Sequence, residues 1–294
     1  MIEILKAILF GIVEGITEWL PVSSTGHIIL LDEFIQLQAT DAFKSMFDVV
    51  IQLGAILAVI VLFFHKLNPF AFKTKTKQER KDTWTLWFKV CLAIIPSGVL
   101  GVLFDDWMDA HLHNGIVVSI ALIVYGVAFI LVERRNTRGK YEKVGGKNGS
   151  PVVIQSGTIA DVHDIGWKTA LYIGCFQALS LIPGTSRSGS TILGAILLGV
   201  GRGAGAEFSF FMAIPTMLGA SAIKLLKFFL ESGFGMAGSE LTVLLVGMVV
   251  SFIVSLLVIK GLMEYVRNHS FSVFGVYRII LGIVVLGYFL MQNA

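Results

Sequence analysis

The chain has 294 residues, 55% of them hydrophobic and only 15% charged, with a mean hydropathy of +0.80. Soluble domains carry about 25% charged residues, so the composition excludes a soluble globular protein and specifies a polytopic membrane protein. The net charge of +3 is small and the basic residues sit in loops, which argues against a nucleic-acid-binding face.

In chain order, residues 4–20 are apolar but interrupted by Gly11, Glu14, Gly15 and Glu18, then stopped by Pro21. That is short for a span, because ~30 Å of hydrocarbon takes about 20 apolar residues. The embedded acids and the lack of a small-x-small cleavage site also argue against a signal peptide. A second short run, Ile28–Leu37, follows Gly26 and His27. The opening therefore reads as helix, polar turn, helix: a re-entrant hairpin, whose irregular backbone must be buried by protein or water.

Val49–Phe64 is a full span, preceded by Asp41 and Asp48 and followed by Lys66, Lys73, Lys75, Lys77, Arg80 and Lys81. The positive-inside rule puts that loop in the cytoplasm. Leu86–Phe104 returns outward, with a kink expected at Pro96 and Gly98, to the acidic connection 105–109. Ile116–Val132 goes back in and meets Arg134, Arg135, Arg138, Lys140, Lys143 and Lys147. The stretch to about Asp164 is a cytoplasmic loop in which no site is expected. Leu171–Ile182, the turn PGTSRSGS and Ile192–Val200 repeat the opening layout, flanked by Lys168 and Arg202. Phe208–Leu226 spans outward despite Lys224 and Lys227 near its outer end, and the next loop, ESGFGMAGSE, has no basic residue. Leu241–Ile259 comes in to Lys260 and Arg267, and Val276–Leu290 leaves again.

The two halves resemble each other. Gly11 to Glu14 matches Gly174 to Gln177, and after a one-residue gap Pro21-Val-Ser-Ser matches Pro183-Gly-Thr-Ser; downstream, Leu53-Gly54-Ala55 matches Leu218-Gly219-Ala220. Each half holds one hairpin and three spans, and three is odd, so the second half is expected to be inverted, with both polar tips meeting near the midplane. The predicted fold is an all-α polytopic membrane protein of two inverted repeats, each one re-entrant helical hairpin plus three transmembrane helices. It forms a single integral membrane domain over 1–294: a first repeat at 1–135, a cytoplasmic loop at 136–168 and a second, inverted repeat at 169–294. Both termini are expected outside, with Lys6 against the rule. Cys91 and Cys175 lie in apolar runs and are expected to be packing thiols, not a disulfide or metal pair.

The chemistry-bearing residues cluster at the two tips. Glu14 and Glu18 are four apart and share a helix face. Intramembrane acids are functional by default, so the pair suits a divalent cation, Mg2+ or Ca2+, or general-base work; helix-surface acids at a membrane edge are the bland alternative. Ser23, Ser24, Thr25, Gly26 and His27 follow Pro21 at a helix start, where hydroxyls and N–H groups make an anion site, although one hydroxyl is expected to serve only as N-cap. His27 suits a nucleophile, a general acid or base, or a packing histidine. At the second tip, Thr185, Ser186, Arg187, Ser188 and Thr191 offer hydroxyl donors around a guanidinium fork suited to phosphate. Arg187 must find an anion at membrane depth, and a structural bridge to Glu14 or Glu18 is the alternative. Gln177 stands where Glu14 stands but cannot ionise, Asp48 and Gln52 are weaker cavity candidates, and His111 and His113 are expected to be solvated.

EGITEWLPVSSTGH at 14–27 and PGTSRSGST at 183–191 resemble the signature regions of the bacterial undecaprenyl-diphosphate phosphatase family of the bacitracin-resistance type, and FDVVIQLGAILAV at 47–59 and EFSFFMAIP at 207–215 extend the resemblance over essentially the whole chain. The resemblance implies hydrolysis of the C55 isoprenoid diphosphate to the lipid phosphate plus inorganic phosphate, which recycles the carrier for cell-wall synthesis. It implies a multi-pass protein of the bacterial cytoplasmic membrane whose site opens to the outer face. Its acidic motif falls on Glu14 and Glu18, its serine-rich turn on Ser23 to His27, and its arginine motif on Ser186, Arg187 and Ser188, completed by Thr191. Where members can show a glutamate early in the first span, this chain has Asp48. The nucleophile stays open between His27, Ser24 and an activated water, with a lean to His27 or a water it positions. Expected partners are the isoprenoid diphosphate lipid and membrane lipids, with no nucleic acid; a homodimer is left open. The rival is a transporter or flippase of an anionic or lipid-phosphate substrate.

Overall fold

The computed structural model of the chain describes residues 1–112, 114–138, 159–232 and 238–292. His113, Lys140, Lys143 and Lys147, most of the 136–168 loop and the centre of the ESGFGMAGSE loop lie outside the described residues. Among those described, regular structure is helical apart from one isolated bridge between Ile159 and Val200. The first half has the short helices α1 (Ile2–Thr17) and α2 (Ser24–Phe34), then α3 (Asp41–Val50), α4 (Gln52–Leu62), α5 (Phe64–Leu67), α6 (Lys77–Leu112) and α7 (Gly115–Arg138). The second has the short helices α8 (Trp167–Ala178) and α9 (Arg187–Leu197), then α10 (Arg202–Ser232), α11 (Gly238–Asn268) and α12 (Ser272–Gln292).

Six helical segments are long and apolar enough to cross a membrane: Asp41–Leu62, Lys77–Phe104, Gly115–Asn136, Arg202–Glu231, Gly238–Val266 and Ser272–Met291. Apolar side chains such as Val102, Leu230 and Leu257 stand outward on these segments, more than two-thirds exposed. Exposed apolar surface on this scale is stable in hydrocarbon and not in water. The chain is a multi-pass, all-helical membrane protein.

Several helices outrun the apolar runs that betray them. α6 starts at Lys77, not Leu86, and α10 at Arg202, not Phe208; charged turns continue a helix past the hydrocarbon without any hydropathy signal. The first span is interrupted at Ile51, between α3 and α4, where Gly54 N donates to Ile51 O at 3.0 Å in a tightened turn. α2 begins at Ser24 and not Ile28, and α9 at Arg187 and not Ile192. The serine-rich segments are therefore first turns of helices, which sets where their side chains point.

Glycines fix the crossings that carry the short helices. A Cβ on Gly11 of α1 would sit 2.6 Å from Gly247 O of α11, and one on Gly174 of α8 would sit 1.9 Å from Ala93 O of α6. The two short pairs thus make matching approaches, α1 against α11 and α8 against α6. α7 packs along α12, and α10 packs on α3 and α4. Between them lies an aromatic core in which Trp19 meets Phe210 edge-on at 5.1 Å and Phe208 and Phe211 are fully buried.

At the end that the positive-inside rule assigns to the cytoplasm, ion pairs lace the helices together. Lys66 pairs with Glu207 at 2.6 Å, and Arg202 forks onto Glu133, which also accepts Phe271 N at 3.2 Å. Lys89 donates to His163 O at 2.8 Å. At the opposite end Lys6, which breaks the charge rule, is paired with Glu3 and donates to Gln36 O, and Lys224 reaches Ser45 at 3.3 Å. Cys91 and Cys175 are free but exposed on α6 and α8, so they face outward instead of packing in the core.

Candidate active site

The residues of the two polar turns meet, joined by the pair Arg187 and Glu18. Arg187 donates to Glu18 Oε1 from Nη2 at 3.0 Å and from Nε at 3.3 Å, and its Nη1 donates to Ser209 O at 2.8 Å. The other carboxylate oxygen, Oε2, accepts the Ser24 hydroxyl at 2.6 Å. Ser188 Oγ donates across the gap to Glu18 O at 2.9 Å. The Arg187 and Glu18 side chains are 10% and 5% exposed. An ion pair this dry stands only where hydrogen bonds satisfy the remaining donors and acceptors, and the serines supply them.

Local backbone explains how a short polar stretch reaches this arrangement. Ser23 and Ser186 both hold positive φ, 77° and 73°, a sparsely populated conformation for a residue with a Cβ and one that collects at functional sites. Each caps the helix it precedes: Ser23 Oγ accepts Gly26 N at 3.2 Å and Ser186 Oγ accepts Gly189 N at 3.1 Å. The same interval separates Gly11 from Gly174, Ser23 from Ser186 and Gly26 from Gly189, so the one-residue gap expected between the halves does not exist. Pro21 corresponds to Gly184, and Ser24 to Arg187. Gly184 has φ of 88°, and a Cβ there would lie 2.6 Å from Val118 O, so only glycine fits this turn.

Not every expected residue joins the cluster. Ser23 and Ser186 are consumed as caps. Thr25 is exposed. Thr191 bonds Arg187 O at 2.9 Å and meets Ser209 Oγ at 2.6 Å, holding the first turn of α9. Thr185 is buried with its Oγ1 unpartnered, as is Oε1 of the buried Glu14 and Nε1 of Trp19. The guanidinium of Arg187 lies 5.9 Å over the Trp19 ring. Orphaned buried polar atoms are costly, and three of them belong to the polar turns or the helix leading into the first. His27 is placed at the flank: its Nδ1 faces Ser23 O at 2.6 Å, so it carries the proton, and Nε2 accepts the Tyr277 hydroxyl at 2.7 Å. Both ring nitrogens are engaged.

Glu14 and Glu18 are the acids named for a divalent cation. Glu14 Oε1 is free to ligate, and both oxygens of Glu18 are engaged by Arg187 and Ser24. Among the described residues no group of three or more His, Cys, Asp and Glu is placed to hold a metal. Two carboxylates fit Mg2+ or Ca2+ of the kind that takes its remaining ligands from substrate phosphate and water. Asp48 on α3 and Gln52 at the start of α4 are both half-buried.

Sequence reasoning missed the residue that ties the turns together. Arg278 of α12 is fully buried; it donates to Pro21 O at 3.2 Å, to Gly184 O at 2.7 Å and to Thr185 O at 2.9 Å, with its guanidinium 5.5 Å from the Tyr125 ring centroid. One guanidinium thus clamps the backbone of both turns. The signal was present, an arginine inside the apolar segment Ser272–Met291, but starting that span at Val276 left it at the membrane edge. Tyr277 carried no local signal, and Ser209 stood out only as part of the resembling stretch 207–215.

The family described as Bacitracin resistance protein BacA matches residues 7–284 of the chain. Undecaprenyl-diphosphatase from Enterococcus faecalis is 58% identical over 97% of this chain and 96% of its own length. Undecaprenyl-diphosphatase 1 from Clostridioides difficile (strain 630) is 56% identical over 99% and 98%, and the Limosilactobacillus fermentum protein of the same activity is 55% identical over 98% of each. With its fold, its paired turns and these matches over nearly its full length, the chain belongs to the Bacitracin resistance protein BacA family.

Proposed function

We propose that the protein hydrolyses undecaprenyl diphosphate to undecaprenyl phosphate and inorganic phosphate, recycling the lipid carrier for peptidoglycan synthesis and conferring bacitracin resistance. The observation that carries this is the Ser24–Glu18–Arg187 relay: a hydroxyl 2.6 Å from a carboxylate that is itself held by a guanidinium. This is a nucleophile, its base and a phosphate receptor in one buried string. The names of the relatives supply the substrate class.

Ser24 suits the nucleophile better than His27, because the serine already faces a proton acceptor while both nitrogens of the imidazole are engaged. The terminal phosphate takes the Arg187 guanidinium, releasing Glu18 Oε1. Ser24 Oγ attacks the terminal phosphorus as its proton passes to Glu18 and on to the departing lipid phosphate, and the bond from phosphorus to the bridging oxygen breaks. Water then attacks the phosphoseryl group. Glu18 takes one of its protons and returns it to Ser24, freeing inorganic phosphate. Thr185, with its unpartnered hydroxyl, and Trp19, with its unpartnered N–H, are donors for the phosphate oxygens. Glu14 and Glu18 would hold a divalent cation, which when bound neutralises phosphate charge.

The architecture that goes with this function is a pair of inverted repeats, 1–135 and 169–294, whose short helices are re-entrant hairpins. It is supported by the matched caps at Ser23 and Ser186, the matched glycine crossings at Gly11 and Gly174, and four helices too short to span. We assign the site to the outer face of the bacterial cytoplasmic membrane; the ion pairs that lace the basic end favour entry from the other side.

Purified protein with undecaprenyl diphosphate in detergent tests the proposal: phosphate release is expected, and binding without release would overturn it in favour of a carrier or transporter. Quenched turnover is expected to trap a phosphoenzyme that survives acid and is lost in base, and that is absent in Ser24→Ala. An acid-labile adduct would return the role to His27.

A further inference from the structure

The basic end of the bundle carries a surface that catalysis does not use. α5 and the segment leading to α6 enclose a cleft of about 430 Å³ whose walls include Phe64, His65, Phe70, Phe72 and Lys73. The segment is built as a fixed element. Asn68 Oδ1 accepts Phe70 N at 2.8 Å, and Lys75 Nζ donates to Lys66 O, Asn68 O and Thr83 Oγ1. Thr76 and Glu79 exchange hydrogen bonds in a capping box that starts α6.

Its charges sort into two groups. Lys66 is taken by Glu207, and Lys75 by the carbonyls of the segment itself. Lys73, Lys77, Arg80 and Lys81 form no ion pair among the described residues. The acids beside them are already engaged, Glu79 in the cap and Asp82 by Gln78. Arg80 is held with its guanidinium 4.4 Å over the Phe72 ring, and its buried Nε has no hydrogen-bond partner. The stack on Phe72 holds the guanidinium as a planar fork of the kind that suits a phosphate.

The apolar side of the same surface says which anion. Phe70 and Phe72 are 63% and 70% exposed, and Phe70 meets Trp84 edge-on at 5.5 Å, with Phe88 a further 6.1 Å along. Phe88, Ile95 and Val99 continue the strip, each more than half exposed, along the outside of α6. A soluble phosphate has no use for this strip; an acyl chain does. Aromatic side chains at a membrane boundary with lysines and arginines beside them match the headgroup level of the cytoplasmic leaflet. The geometry points to an anionic glycerophospholipid of the inner leaflet, its headgroup phosphate between Lys73 and Arg80 and a chain along Trp84 and Phe88. This site is separate from the catalytic turns and owes nothing to them.

Native mass spectrometry of the full-length protein in detergent, titrated with phosphatidylglycerol, phosphatidylcholine or inorganic phosphate, tests it. Retention of phosphatidylglycerol about tenfold over phosphatidylcholine is expected, with the preference lost in the K73Q/R80Q double variant and phosphate release unchanged. Equal retention of both lipids, an unaffected double variant, or displacement of the lipid by millimolar phosphate would overturn the lipid assignment. A second measurement does not depend on that variant folding. In nanodiscs, brominated phosphatidylglycerol should quench the part of the tryptophan emission that Trp84→Phe removes, and brominated phosphatidylcholine should quench it less. Equal quenching by both lipids would overturn the proposal.

Discussion

The two polar turns share a backbone and divide the chemistry. Ser23 and Ser186 take the same positive-φ conformation and cap the same position of the following helix, yet the next residue is Ser24 in one turn and Arg187 in the other. The helices before them differ in the same way. Gln177 of α8 is anchored by its amide N–H groups, which donate to Ser97 at 2.6 Å and Thr216 at 3.2 Å; its counterpart Glu14 has no N–H group to anchor it, and both side chains keep one buried oxygen without a partner. The matching turns are therefore preceded by a neutral amide anchored to α6 and α10 on one side and by an ionisable acid on the other. The strained cap is the part both sides need. The side chains projecting from it are where the halves are free to differ.

The sharpest way to break this asymmetry is to remove the pair that joins the turns. Arg187→Ala and Glu18→Ala should each lower phosphate release by about 10³-fold, while circular dichroism keeps its helical signal. Full activity in either would dissolve the site. His27→Ala should cost less, about 10²-fold at most, since it leaves the Ser24–Glu18 contact intact; a loss as deep as that of Ser24→Ala would make the imidazole an equal partner. Exchanging the counterparts comes next. Glu14→Gln should lower activity by about 10- to 100-fold and weaken the dependence on added Mg2+ or Ca2+, whereas Gln177→Asn should leave turnover within about twofold and lower only the melting temperature, through its bond to Ser97. Chelation of the wild type should suppress turnover, and an unchanged rate would remove the cation from the scheme. The smallest effect belongs to the shared cap. Ser186→Ala should destabilise by about 1 kcal/mol, read as a shift in thermal unfolding, and a shift of like size in Ser23→Ala would show that the caps do equal structural work.

The spans were legible because each is a long apolar run with charge at its ends, and the two turns were legible because Glu18 and Arg187 are out of place in such company. Boundaries were not, since a helix that leaves hydrocarbon at Lys77 or Arg202 shows no change a hydropathy reading can detect. The pairing of Glu18 with Arg187 was foreseen only as one alternative, because nothing local links residues so far apart in the chain. The gap placed between the halves was misleading for a related reason. Aligning Pro21 with Pro183 favoured residue likeness over backbone geometry, and the turn needs a positive φ at the serine more than it needs a proline two residues earlier.

Arg278 has a mechanical consequence. Its guanidinium holds Gly184 O and Thr185 O, in the same half of the chain as α12, and reaches across to Pro21 O in the other half. Rocking one half against the other, the motion a carrier uses to alternate between faces, would strip the Pro21 carbonyl from Arg278 in a dry interior at a cost of about 1–3 kcal/mol, together with the Glu18–Arg187 pair. The two turns are therefore tied to each other through Arg278, Glu18 and Ser188, and any motion that parts them has to break those bonds together.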